Sequence, residues 1–296
     1  MTLDVVKTKI GDINITQIIE LEIGETIQHF ISQATPEEIK KIKWLDYPYI
    51  NEDGTLNGVS QAFIIEKNDR LIVVDTCIGN DKKRIDFPHW NELHLDFLST
   101  LEENSIDRYK VTDVLCTHLH LDHVGWNTMK TSEGWLPTFP NAKYHFGHKE
   151  YEFWTSEEGI GSIGEGQEEA VKDSVLPILD AGLVNFLDEN ADLGDGIKVI
   201  STPGHTPGHN SVIFETGAKD FIITGDCIHH PCQFANLHWS MKADNNAEVG
   251  VKTRREFADK FSNEKYIVAG THFSAPSIGN LIKKGENFEF HPIDKE

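Results

Sequence analysis

Apolar and polar positions along this 296-residue chain fall into short runs with a recognisable period. Ile10 to Ile23 carries β-branched residues in partial alternation, as a half-buried strand does. Two denser runs, AFIIEKND and RLIVVDTCIG, meet at Lys67–Asn68–Asp69 and predict a hairpin, with Asp75 closing the second run. Gln33 to Lys43 is polar with helical character. His89 to Asn104 sets Leu93, Leu95, Phe97, Leu98 and Leu101 at roughly helical spacing. VTDVLCT and AKYHFGH read as short strands, the second leading into a helix from Lys149, and Gly159 to Gly166 reads as a glycine-acidic loop. IKVISTPG, SVIFET, DFIITGD and YIVAGTH form a later series of strands, bounded by glycine or turns.

Hairpins and meanders interleaved with helices are not a regular βαβ alternation. The pattern predicts an α/β (α+β) protein with two mixed sheets and helices outside them. No repeat, linker or low-complexity tract divides the chain, so one domain over 1–296 is expected.

Composition narrows the class. Apolar residues make up 39%, and sixteen Phe with six Trp can fill a substantial core. A formal charge of −21 disfavours nucleic acid, whose phosphates would be repelled at long range. No stretch approaches the roughly 20 apolar residues that cross a bilayer, and MTLDVVKTKIGDINITQ lacks the apolar centre of a secretory signal. Cys77, Cys116, Cys227 and Cys232 read as reduced packing residues rather than a disulfide framework. The expected setting is cytoplasmic, with no membrane or nucleic-acid partner, as a monomer or homodimer.

The candidate chemistry lies in four sequence-remote places: THLHLDH (Thr117 to His123), TPGHTPGH with His205 and His209, Asp226 in ITGD, and His272 in AGTH. Three of these follow an apolar β-rich run directly, so strand ends can bring the loops to one sheet rim. Imidazole and carboxylate suit zinc and similar borderline ions. His118 and His120 point the same way in an extended segment and make a pincer for one ion. A turn would aim Asp122 and His123 toward a neighbouring one. Seven such donors exceed one tetrahedral site and suit two ions with a shared carboxylate. Burying so many polar rings without an ion would leave them short of partners. His209, in the turn of His205, reads as structural rather than ligating.

In that order and spacing, THLHLDH, TPGHTPGH, ITGD and AGTH resemble the metallo-β-lactamase superfamily, from about Phe63 through His272. The resemblance implies a four-layer αββα sandwich with a two-metal centre at one sheet edge. It places His118, His120 and His205 on the first metal, Asp122, His123 and His272 on the second, and Asp226 between them. It makes Asp75 a hydrogen-bonding support of the metal histidines. His120, where a di-iron redox branch carries Glu, favours zinc-type hydrolysis, with Mn2+, Fe2+ or Co2+ as alternatives.

HLHLDHVGWN, TFPNAKYHFGH and GDCIHHPCQF resemble the branch of N-acyl-homoserine lactonases and methyl-parathion-type hydrolases. Lactonases there often carry tyrosine three residues past the bridging aspartate; this chain has His229. The expectation is a dinuclear hydrolase in which a metal-bridging hydroxide opens lactones or small neutral esters, an activity compatible with quorum quenching. Asp226, Asp122 and His229 form the expected catalytic set, with His229 facing a developing oxyanion. Trp126, Trp239 and Phe273 are candidate walls of an apolar substrate pocket. The alternatives are an organophosphate or aryl-ester hydrolase and, in a different class, a non-catalytic metal-binding scaffold.

Overall fold

A computed structural model describes residues 3–162 and 164–293. They divide into two compact units, one of Met1–Lys7, Ile13–Glu20 and Ser60–Asp188, the other of Thr8–Asp12, Leu21–Val59 and Glu189–Glu296.

The strands of the first part of the chain are β1 (Asp4–Ile10), β2 (Ile13–Glu22), β3 (Val59–Lys67), β4 (Arg70–Val74), β5 (Asp113–Leu115), β6 (Thr128–Thr131), β7 (Gly134–Pro137), β8 (Lys143–Gly147) and β9 (Val184–Leu187). Seven of them form one sheet in the order β1-β2-β3-β4-β5-β8-β9, and β6 with β7 makes a separate hairpin. The expected hairpin at Lys67–Asp69 is β3–β4: Lys67 faces Arg70, leaving the two-residue turn Asn68–Asp69, and Asn68 takes a positive φ of 54°. Within that sheet β4, β5, β8 and β9 run parallel. Sandwiched strands need apolar side chains on both faces, which is why IVV of β4 and YHFG of β8 are unbroken buried runs. Val74 pairs with Leu115, so Asp75 and the chain leading to His118 leave adjacent strand ends.

The second unit contains β10 (Ile197–Ser201), β11 (Asn210–Phe214), β12 (Asp220–Ile223), β13 (Tyr266–Ala269), β14 (Ile278–Lys284) and β15 (Asn287–Pro292), joined in chain order into a mixed sheet. Only β12 and β13 are parallel, with Ile223 opposite Ala269. Asp226 and His272 therefore each lie three residues beyond paired positions, past the same sheet edge. The helix Ala247–Phe261, capped by the Asn246 side chain on Val249 N–H, buries Phe257, Ala258 and Phe261.

Several expectations shift. The helix expected over His89–Asn104 is confined to Phe97–Glu103. Upstream, Asn80 accepts from Leu95 N–H and donates to Leu95 C=O, holding that stretch as extended chain. The helical stretch within Gln33–Lys43 is only Pro36–Ile39, started by Thr35. The glycine-acidic loop overlaps the end of the short helix Glu157–Ile160 and the start of Glu165–Ala170, while Ile163 lies outside the described residues. Trp126, Trp239 and Phe273 are core rather than pocket wall: all are buried, Trp126 stacks on Phe97, and Phe273 packs edge-on against Phe290. The four cysteines are free and buried. No helix among the described residues is long and apolar enough to cross a membrane.

Candidate metal centre

In the first unit, β5 delivers the chain to Thr117, and a turn closed by His123 N–H on His120 C=O ends the histidine-rich stretch. His118 Nε2 lies 2.9 Å from His120 Nδ1, as their shared parity requires. His123, in the turn, presents Nε2 3.8 Å from Asp122 Oδ1.

Buried acceptors orient this stretch. Asp75 takes Thr117 N–H at 2.8 Å and the Thr117 hydroxyl at 2.9 Å, and faces His123 Nδ1 at 2.9 Å. The expected support role of Asp75 is therefore present: it fixes the His123 ring and leaves Nε2 for a ligand. Gly125 permits the return of the chain, since a Cβ there would sit 1.8 Å from the Ile78 carbonyl oxygen. Glu20, fully buried, accepts from Ile78 N–H, Gly79 N–H and the Trp126 indole. Burial pushes its carboxyl up to about 7 despite those donors.

In the second unit, three imidazoles surround one carboxylate. His272 Nε2 is 3.1 Å from Asp226 Oδ1, while His205 Nε2 and His229 Nε2 are each 3.3 Å from Oδ2. His272 Nδ1 is 2.9 Å from Val59 C=O and His205 Nδ1 is 2.9 Å from Asp244 Oδ1, so both rings are pinned from behind. His209 is structural, as expected: its Nε2 accepts Asp226 N–H at 2.8 Å and its Nδ1 lies 2.8 Å from Thr202 Oγ1. Gly204, at φ +134°, lets the TPGH turn approach the helix Ala247–Phe261; a Cβ would sit 2.3 Å from Gly250 Cα.

His229 and His230 part company. His230 is 3.0 Å from Tyr49 C=O and accepts from Cys232 N–H, and burial lowers it to about 4. It has no place among the candidate ligands. His229 is fully buried, and neither of its ring nitrogens makes a hydrogen bond among the described residues. Burial holds it below the usual histidine range, against the pull of Asp226. A buried ring left without a hydrogen bond costs roughly 1–3 kcal/mol, which is tolerable where a ligand or substrate completes it.

Asp244 is a residue that sequence reasoning missed. Burial raises its carboxyl, but the hydrogen bond and charge of His205, with His229 and Arg254, outweigh this and hold it below the usual range. It lies in the polar run KADNN, where no periodicity or motif marks it. His205, His229 and Asp244 present donor atoms within 4.8 Å of one another. Glu150 and Gln167, which hold the backbone between the histidines of HLHLDH, were likewise invisible.

Clustered His and Asp side chains able to hold a metal ion are thus present in the structure. The donors fit a borderline divalent cation: imidazole and carboxylate, buried, with rings oriented by hydrogen bonds to their far nitrogens. In the second unit, a cation between the Asp226 oxygens and the facing imidazoles would balance the buried charge of the carboxylate.

Comparison with known proteins agrees with this chemistry. The family model of the metallo-beta-lactamase superfamily matches residues 56–260. An N-acyl homoserine lactonase of Bacillus sp is 29% identical over 160 residues, covering 54% of each chain. The chain spans about half the length, or less, of the curated relatives it matches first. Among solved structures, a hydrolase called AbOPH, in the beta lactamase superfamily, superposes with a TM-score of 0.82 at 23% identity, covering 100% of this chain and 99% of that one. AidC, a dizinc quorum-quenching lactonase in complex with a product, gives 0.78 at 21% identity over 99% and 98%. At such identities these two structures speak for the fold.

Proposed function

Because the chain belongs to the metallo-β-lactamase superfamily, we propose that it is a dinuclear-metal hydrolase opening lactones and related small neutral esters. The first ion would be held by His118, His120 and His205, the second by Asp122, His123 and His272, with Asp226 shared. In this reading residues 1–296 work as one domain. Zinc suits the donors best. The buried thiols of Cys77, Cys116, Cys227 and Cys232 support a cytoplasmic setting.

The observation that carries the reading is Asp226, whose two oxygens address His272 and the His205–His229 pair separately. A carboxylate so divided can serve two ions. Divalent ions bound there supply Lewis acidity and activate water as a nucleophile at neutral pH. The chain's own groups do the rest. Asp226 orients the attacking water and can accept its proton, Asp122 adds a second carboxylate on the same loop as the histidines, and Asp75 and Asp244 fix the rings they touch. His229, buried and without a hydrogen bond, can donate to the oxyanion that develops on the substrate carbonyl.

Names among the relatives support lactones as the substrate class. His229, standing where lactonases of the resembling branch often have tyrosine, favours a second reading as an aryl-ester or organophosphate hydrolase. Turnover of a panel of lactones, aryl esters and phosphotriesters by the zinc- or manganese-loaded protein separates the two. Lactone opening foremost is expected. Phosphotriester hydrolysis without lactone opening would establish the second reading, and full metal content with no turnover would leave a binding scaffold. His229→Ala should lower kcat on the order of 100-fold with less effect on KM, because an oxyanion contact forms mainly in the transition state. An unchanged kcat would remove His229 from the reaction.

A further inference from the structure

Gln167 lies on the short helix Glu165–Ala170, buried, well away in sequence from the histidine motif. Its side-chain Nε2 donates to Leu119 C=O at 2.8 Å, and its Oε1 accepts Leu121 N–H at 3.0 Å. Those two groups belong to the peptide planes on either side of His120. One primary amide therefore holds both dihedrals of that residue. The pattern is the one a residue of a parallel strand offers its neighbour, supplied here by a side chain where the backbone is outside any strand. One plane earlier, Glu150 Oε1 accepts Leu119 N–H at 3.1 Å and the Trp154 indole N–H at 2.6 Å, and the Trp154 ring packs edge-on to His120 at 5.0 Å.

We propose that Gln167 is the positioning residue of His120, holding its imidazole at the angle that metal binding requires. The inference rests on His120 being a metal ligand. Ordinary backbone scatters by about 15–20° in each dihedral. At roughly 4 Å from the rotation axis, that scatter moves a ring nitrogen by about 1 Å, several times the ~0.2 Å tolerance of a metal–ligand bond. Side-chain parity brings His118 and His120 to one face but does not supply that accuracy. A rigid amide bonded to both flanking planes does. The helix that carries Gln167 is itself anchored, since Gly166 N–H donates to Asp86 Oδ2 at 2.8 Å and Asp173, farther along, makes a two-point bond to Arg84.

Gln167→Met keeps the length and volume and removes both hydrogen bonds. Ile178→Val, in the buried face of Leu176–Asp180, is the packing control. Chelator competition with zinc, the visible spectrum of the cobalt-substituted protein, and melting of the metal-free protein are measured on the full chain. Gln167→Met should weaken binding of one zinc equivalent by about 10- to 100-fold and shift the cobalt band, with metal-free melting close to wild type. Ile178→Val should lower the melting temperature and leave both metal readouts unchanged. If Gln167→Met does not fold, Gln167→Glu, which keeps the acceptor but loses the amide donor, carries the test and should weaken zinc severalfold. Wild-type affinity and cobalt spectrum in the glutamine variant that folds would overturn the proposal, as would a loss that merely tracks melting as in the control. A wild-type protein that binds no zinc would instead overturn the metal centre itself.

Discussion

Asp226 is held through its own backbone by His209 and addressed through both oxygens by imidazoles. Its neighbour Cys227 is buried, with a thiol pushed up to about 12 by desolvation, and behaves as packing. The two positions therefore separate charge from shape. Asp226→Asn preserves volume and removes the carboxylate charge, so kcat should fall on the order of 100-fold or more, with melting of the metal-free protein little changed. Cys227→Ser should keep most activity. A dead Cys227→Ser with normal metal content, beside an active Asp226→Asn, would reverse these roles. The candidate ligands His118, His120, Asp122 and His123 were legible because metal-binding types crowd into seven positions, THLHLDH. Asp244, Glu150 and Gln167 were not, because each acts on a segment far along the chain and its own neighbours carry no sign of it.

Strands and hairpins followed their hydrophobic period closely, since alternation and apolar runs record which faces are buried. The exception is instructive. Leu93 and Leu95 fit a helical spacing, yet their backbone bonds go to Asn80 and Asp81, and the helix waits until Phe97. A distant partner for the backbone outweighed a weak local preference. The adjoining Lys82 is another such commitment. Its fully buried Nζ donates to Thr128 Oγ1 at 2.6 Å and Asp173 C=O at 3.1 Å, and lies 3.7 Å from the centre of the Trp135 ring. It thereby ties the β6–β7 hairpin to the helical stretch beyond Glu165. Burial lowers this lysine to about 7 from 10.5, against the pull of Asp173. Across that window the unfolded chain holds the extra proton, so this group makes stability climb as pH rises from about 7 and levels it off above about 10.5. Chemical denaturation of Lys82→Met over the same range should lack that climb. Parallel pH curves for the two proteins would refute the assignment.

Across the whole chain, two sets of histidines and carboxylates lie on sequence-remote loops and are proposed to meet around two ions. Protein prepared with excess zinc and desalted should retain about two equivalents per chain, and chelation should lower its melting temperature, because ions that bind only the folded state stabilise it by mass action. A reproducible single equivalent in active protein would exclude the two-ion arrangement. The residue types available for a metal, the same-side placement of His118 and His120, and the presence of two strand series were already written in the order of the amino acids. These are local properties, set by donor chemistry and the two-residue period of extended chain. Folding alone chose which distant group stands behind each candidate ligand: Asp75 at His123, Asp244 at His205, the Val59 backbone C=O at His272 and Gln167 astride His120. It also sent Trp126, Trp239 and Phe273 into the core. The physical reason is that a hydrogen bond or a packed ring depends on where two remote segments meet, and strand pairing sets that meeting point. Val74 against Leu115 and Ile223 against Ala269 set which loops leave the same sheet edge, and no run of neighbouring residues records those pairings.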